Sequence, residues 1–132
     1  HRFRVLPIVN ENDTTATDEI QFGDNDLLAA KLARIFKADL LIMLSAVEGL
    51  YESFNDQTNQ STLIRQVSKL TKDIHAMAGK ASKSGKGGMT SKIEAAKIML
   101  SMNSNMVITK GDAANPLLRL KKSVPSTWFN KS

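Results

Sequence analysis

Three apolar runs, "RVLPIVN" (Arg4 to Asn10), "DLLIMLS" (Asp39 to Ser45) and "NMVITKG" (Asn105 to Gly111), are too short for core helices and scarcely alternate polar with apolar residues. A strand reads this way when both of its faces are covered, as in a parallel sheet flanked by helices. Parallel strands need crossovers. Between the first two runs, "DNDLLAAKLARIFKA" sets Leu28, Leu32, Ile35 and Phe36 on one helical stripe, with Asp24 as N-cap. The economical assignment is a right-handed strand, helix, strand unit.

The rest of the chain continues the alternation. "EGLYESFNDQTNQST" (Glu48 to Thr62) is polar and turn-rich, a surface excursion. "LIRQVSKLTKDIHAMAG" (Leu63 to Gly79) carries an interrupted helical pattern closed by Gly79 as C-cap. In "SKIEAAKIMLSMN", Ser91 and Glu94 stand at capping-box spacing, and in "NPLLRLKK" Pro116 suits a first helical turn. "VPSTWF" closes as a last strand, with Trp128 packed at the sheet edge, while Met99 and Met102 fill the core. The expected fold class is α/β, a three-layer αβα sandwich on a mostly parallel sheet, in one domain over residues 1–132.

Composition narrows the function classes. Cysteine is absent, which excludes disulfides and thiolate metal sites, and no apolar run approaches the roughly 20 residues of a membrane span. No secretory signal layout is present, so a cytoplasmic protein is expected, and a start without methionine suggests a piece of a longer chain. Charge is split: residues 1–56 hold five basic and ten acidic side chains, residues 57–132 thirteen and three. With aromatics at only 5%, the pattern fits a cleft for a ligand of both signs better than a nucleic-acid face. Ordinary solvated faces would give the same counts.

Two stretches could carry chemistry. "GKASKSGKGGMTSKIEAAK" (Gly79 to Lys97) crowds lysines and Gly85, Gly87 and Gly88 immediately ahead of a helix. Helix N-termini have unpartnered N–H groups and attract anions, so phosphate is the natural guest; a mobile solvated loop is the alternative. The stretch is not a Walker A loop, and Thr90 stands where GxGxxG would need its third glycine. "NEND" (Asn10 to Asp13) and "GDND" (Gly23 to Asp26) would both lie beyond strand carboxyl ends, where ligands bind in open α/β sheets. Asn10, Asn12 and Asn25 offer amides; Asp13, Asp24 and Asp26 offer carboxylates for an ammonium group, a magnesium ion through water, or lysines, unless they serve as caps and turn formers. His1 and His75 form no metal or acid-base cluster, and His75 is expected at the surface.

Taken in order, "VLPIVNEND", "FGDNDLLAAKLARIFKADLLIML", "EGLY" and "GKGGMTSKIEAAKIM" resemble the glutamate 5-kinase branch of the amino acid kinase family. The resemblance implies transfer of the ATP γ-phosphoryl group to the side-chain carboxylate of L-glutamate, the first step of proline synthesis, with ATP and Mg2+ as cofactors. It implies that Asn10, Asp13 and Asn25 contact glutamate, that Asp26 orients catalytic lysines, and that Lys92 stabilises charge between the β- and γ-phosphates. Ser45, Ala46, Lys86, Gly87, Gly88, Met89, Thr90, Ser91 and Lys92 would border the nucleotide. The family usually has Thr-Asp where this chain has Ser45-Ala46, so one carboxylate is missing. Nothing matches the family's N-terminal half, and a C-terminal PUA domain is not expected, so the chain reads as the C-terminal, nucleotide-binding half of the kinase domain, almost inactive alone. The full-length protein is expected to be a dimer or tetramer with no nucleic-acid or membrane partner. Other acceptors within the family (carbamate, acetylglutamate, aspartate) and a non-catalytic nucleotide-binding module are the alternatives.

Overall fold

The computed structural model describes residues 5–10, 24–52, 61–81 and 88–130. Its elements run α1 (Asp24–Ile35), β1 (Leu40–Ser45), β2 (Gln66–Val67), α2 (Lys72–Ala81), α3 (Gly88–Ser101), β3 (Asn105–Lys110), α4 (Pro116–Leu120) and β4 (Ser126–Phe129). The four strands form one sheet in the order β1-β3-β4-β2. β1 and β3 pair in parallel, as do β2 and β4, while β3 and β4 run antiparallel. This is an α/β fold on a mixed, mostly parallel sheet.

Register decides which side chains meet the helices. Leu41 and Met43 stand opposite Met106 and Ile108, which stand opposite Phe129 and Thr127. Met43, Met106, Ile108 and Phe129 join one core with Ala30 and Ala33 of α1, Ala78 of α2, and Ile93, Ala95, Ala96 and Met99 of α3. α1 and α2 both pack against α3. The described residues therefore show the sheet with helices α1, α2 and α3 on one face. On the opposite face of β1, Leu40 and Leu44 are exposed.

Both helices that precede a parallel strand end alike. After α1, the Ala38 N–H bonds the Ala33 carbonyl across Lys37 at φ 51°; after α3, the Ser104 N–H bonds the Met99 carbonyl across Asn103 at φ 60°. A left-handed residue just past the helix turns the chain sharply back into a strand.

Several expectations are corrected. Val5–Asn10 is not a strand: it has no ladder partner among the described residues, and Leu6 and Ile8 are almost fully exposed. The fully buried side chains of α1 are Ala30 and Ala33; of the expected stripe Leu28 and Leu32 are half-buried, while Ile35 and Phe36 are exposed. The "LIRQVSKL" part of the third helical pattern holds β2, since Val67 gains burial and a ladder with Phe129 that outweigh local propensity. The helix starts only at Lys72, where the Thr71 hydroxyl accepts the Ile74 N–H at 3.4 Å as an N-cap, and it runs through Gly79. Trp128 lies in an interior strand between β3 and β2, not at an edge. The described ends of the Glu48 to Thr62 excursion pair with the chain that follows, through Ile64 N–H to Leu50 O and Glu52 N–H to Thr62 O, and Leu50 is fully buried.

Candidate active site

Because α1 precedes β1 and α3 precedes β3, and those strands are parallel, the N-termini of both helices reach the edge where the strands end at Ser45 and Lys110. There the first turn of α1 meets the first turns of α3. Asp26 Oδ2 accepts from the Ser91 hydroxyl at 2.6 Å and from Lys92 Nζ at 3.0 Å. Lys92 Nζ also donates to the Gly88 carbonyl, one helical turn back, at 3.1 Å. The side chains of Lys92 and Asp26 are only 13% and 22% exposed, so this ion pair is weakly screened.

Ser91 is thus not the helix cap. α3 begins three residues earlier, at Gly88, and the Ser91 hydroxyl is turned to Asp26 and to the Gly88 carbonyl at 3.1 Å. Gly88 is exposed, and among the described residues a Cβ placed on it would meet nothing within 4 Å. Met89 is buried in the core, and Thr90 is exposed.

Ser45 closes β1, half-buried, with its carbonyl accepting the Gly111 N–H at 2.8 Å; Ala46 follows, exposed. Asn25 is exposed in the first turn of α1, beside Asp26. Asn10 is exposed in the segment before residue 11. Asp13, Lys86 and Gly87 lie outside the described residues, as do the side chain of Asp24, His1 and Gly85. His75 is exposed, its Nδ1 4.0 Å from Glu94. Lys110 and Gly111 share the Ser45 edge, with Lys110 paired to Asp112 at 3.1 Å. The rule that ligands sit beyond strand carboxyl ends applies to β3 as much as to β1, which makes Lys110 and Gly111 candidates for the same edge.

Beyond Ala46 the Tyr51 hydroxyl donates to Glu48 at 2.5 Å. That hydrogen bond, with burial and the adjacent carboxylate charge, raises the Tyr51 pKa above its ordinary value of 10.0. Among the described residues no three His, Cys, Asp or Glu side chains cluster as a metal site, and no helix is long and apolar enough to cross a membrane.

Known proteins agree with this architecture. The sequence profile of the amino acid kinase family matches residues 1–110. A protein named glutamate 5-kinase from Nitrobacter winogradskyi is 47% identical over 96% of this chain and 34% of its own length, and one from Rhodopseudomonas palustris is 46% identical over the same shares. The chain spans about a third of the length of these curated relatives. Among solved structures, carbamate kinase from Giardia lamblia bound to AMP-PNP superposes with a TM-score of 0.53 at 19% identity, over 81% of this chain and 32% of that one. UMP kinase from Ureaplasma parvum superposes at 0.52 and 17%, over 80% and 41%. At such identities the superpositions speak for the fold alone. Profile, sequence relatives and fold agree: this chain belongs to the amino acid kinase family.

Proposed function

We propose that this chain supplies the nucleotide site and part of the acceptor site of an ATP-dependent kinase that phosphorylates the side-chain carboxylate of L-glutamate, giving γ-glutamyl phosphate, the first step of proline synthesis. The carrying observation is the Asp26, Ser91, Lys92 cluster where two helix N-termini converge. The identity to proteins named glutamate 5-kinase supports the choice of acceptor.

In this reading the triphosphate lies along the segment from Lys86 to Lys92, against the start of α3, with Ser45 and Ala46 bordering the rest of the nucleotide. An ammonium group has three N–H donors. Asp26 and Gly88 account for two on Lys92, and we assign the third to a phosphate oxygen. Lys92, so aimed, offsets charge as it develops between the β- and γ-phosphates, and Asp26 acts by holding it. Asn10, Asp13 and Asn25 would bind glutamate, the aspartate engaging its ammonium group. A Mg2+ ion would arrive with ATP and be held mainly by phosphate oxygens, in keeping with its preference for few protein carboxylates. A homo-oligomeric, cytoplasmic enzyme completes the proposal.

The test is hydroxamate formation from glutamate, ATP and hydroxylamine by the full-length protein, run beside carbamate, acetylglutamate and aspartate as acceptors. Glutamate should be preferred, and Lys92→Ala should reduce turnover at least a hundredfold while the protein stays folded. No turnover with glutamate, or near-normal turnover of Lys92→Ala, rejects the reading.

A further inference from the structure

Ala46 has no polar side chain, so any hydrogen bond it makes with a nucleotide must come from its backbone. What fixes that backbone then matters. On one side, the Gly111 N–H holds the Ser45 carbonyl at 2.8 Å, and Gly111 sits so close to β1 that an added Cβ would lie 2.9 Å from the Leu44 Cβ. On the other side stands Thr127, fully buried in β4. Its Oγ1 accepts the Leu50 N–H at 2.8 Å and donates to the Ile64 carbonyl at 2.7 Å. One hydroxyl thus ties two separate segments to the middle of the sheet. The approach is tight: a Cβ on Gly49 would fall 2.3 Å from Thr127 Oγ1 and 3.0 Å from its backbone nitrogen.

We propose that Thr127 is a positioning residue for nucleotide binding: its hydroxyl anchors Leu50, and through the Ala46–Leu50 turn it sets the backbone at Ser45 and Ala46. The inference rests on the nucleotide contact assigned above to those two residues. A valine at 127 keeps the shape but strands a buried donor and a buried acceptor, whereas a serine keeps the hydroxyl.

The experiment measures ATP and glutamate kinetics and direct AMP-PNP binding for the full-length protein and for Thr127→Val and Thr127→Ser. Thr127→Val should raise the ATP KM and the AMP-PNP Kd roughly tenfold, the factor that corresponds to about 1.4 kcal/mol, with kcat and glutamate KM within about twofold. Thr127→Ser should restore nucleotide affinity. A lowered Tm with unchanged nucleotide affinity would mark Thr127 as only structural and overturn the inference. If Thr127→Val does not fold, hydrogen exchange in the unmodified protein decides: AMP-PNP should slow exchange across residues 46–52, and protection confined to residues 88–92 overturns the inference. Nucleotide binding that depends on Thr127 without glutamate turnover would sink the kinase reading and leave this inference standing.

Discussion

Replacing Asp26 by asparagine removes a charge and little volume, at a point where one oxygen holds both Ser91 and Lys92. Hydrogen bonds to a charged group contribute about 1.5–3 kcal/mol, and the limited exposure of this pair places it within that range instead of near the zero typical of surface pairs. If that energy aims Lys92 at the reacting phosphate, each 1.36 kcal/mol lost is a factor of ten in rate, so kcat should fall roughly ten- to a hundredfold. The sharper readout is a double-mutant cycle on hydroxamate formation with Asp26→Asn, Lys92→Ala and the pair. Because Asp26 acts through Lys92, the double variant should be no slower than Lys92→Ala alone. Rate losses that add to within about 0.3–0.5 kcal/mol would mean that the two residues work independently, and would refute the positioning role.

Lys37 carries a bulky side chain at φ 51°, so Lys37→Gly should raise stability by about 0.5–1 kcal/mol, read as a higher denaturation midpoint; Asn103→Gly, replacing a residue that tolerates this geometry, should change it less. Tyr51 is the chain's single tyrosine, and its neutral form donates to Glu48, so folding favours the protonated phenol. That contribution is fully present below pH 10 and is lost as pH rises through the higher folded-state pKa. Phenolate absorbance in this chain should show a midpoint above 10 that falls back toward 10 in Glu48→Gln; a wild-type midpoint at or below 10 would contradict the assigned contact.

How much of this was legible in the sequence depends on what each pattern reports. Continuous apolar runs located β1 and β3 to within a residue, because a strand buried by its neighbours needs no alternation. The same signal misread Val5–Asn10, since apolar sequence shows fitness for a strand but cannot supply the partner a ladder requires. Ile35 and Phe36 suggested the inner face of α1 by size, yet they are exposed, and the fully buried positions are the small Ala30 and Ala33 where α1 packs against α3. β2 was invisible because its two residues owe their conformation to Trp128 and Phe129, some sixty positions later. At the site, the resemblance to the amino acid kinase family brought Asp26 and Lys92 into consideration together. The distance between them, and the turning of Ser91 away from a capping role, emerge only when two helices are laid side by side.

The strand order carries a consequence for how the protein assembles. Among the described residues β4 follows the other three strands along the chain yet lies inside the sheet, with β3 on one side and β2 on the other. As the polypeptide leaves the ribosome, β1 can zip onto β3 once both have emerged, but β2 has nothing to join until Ser126 to Phe129 arrive. Closing such distant pairings is slow, and the intermediate shows a bare strand edge. Shortening the chain to end at Leu120 would therefore remove the keystone of the sheet, stranding Val67 and Leu50 in water while leaving the β1 and β3 ladder whole.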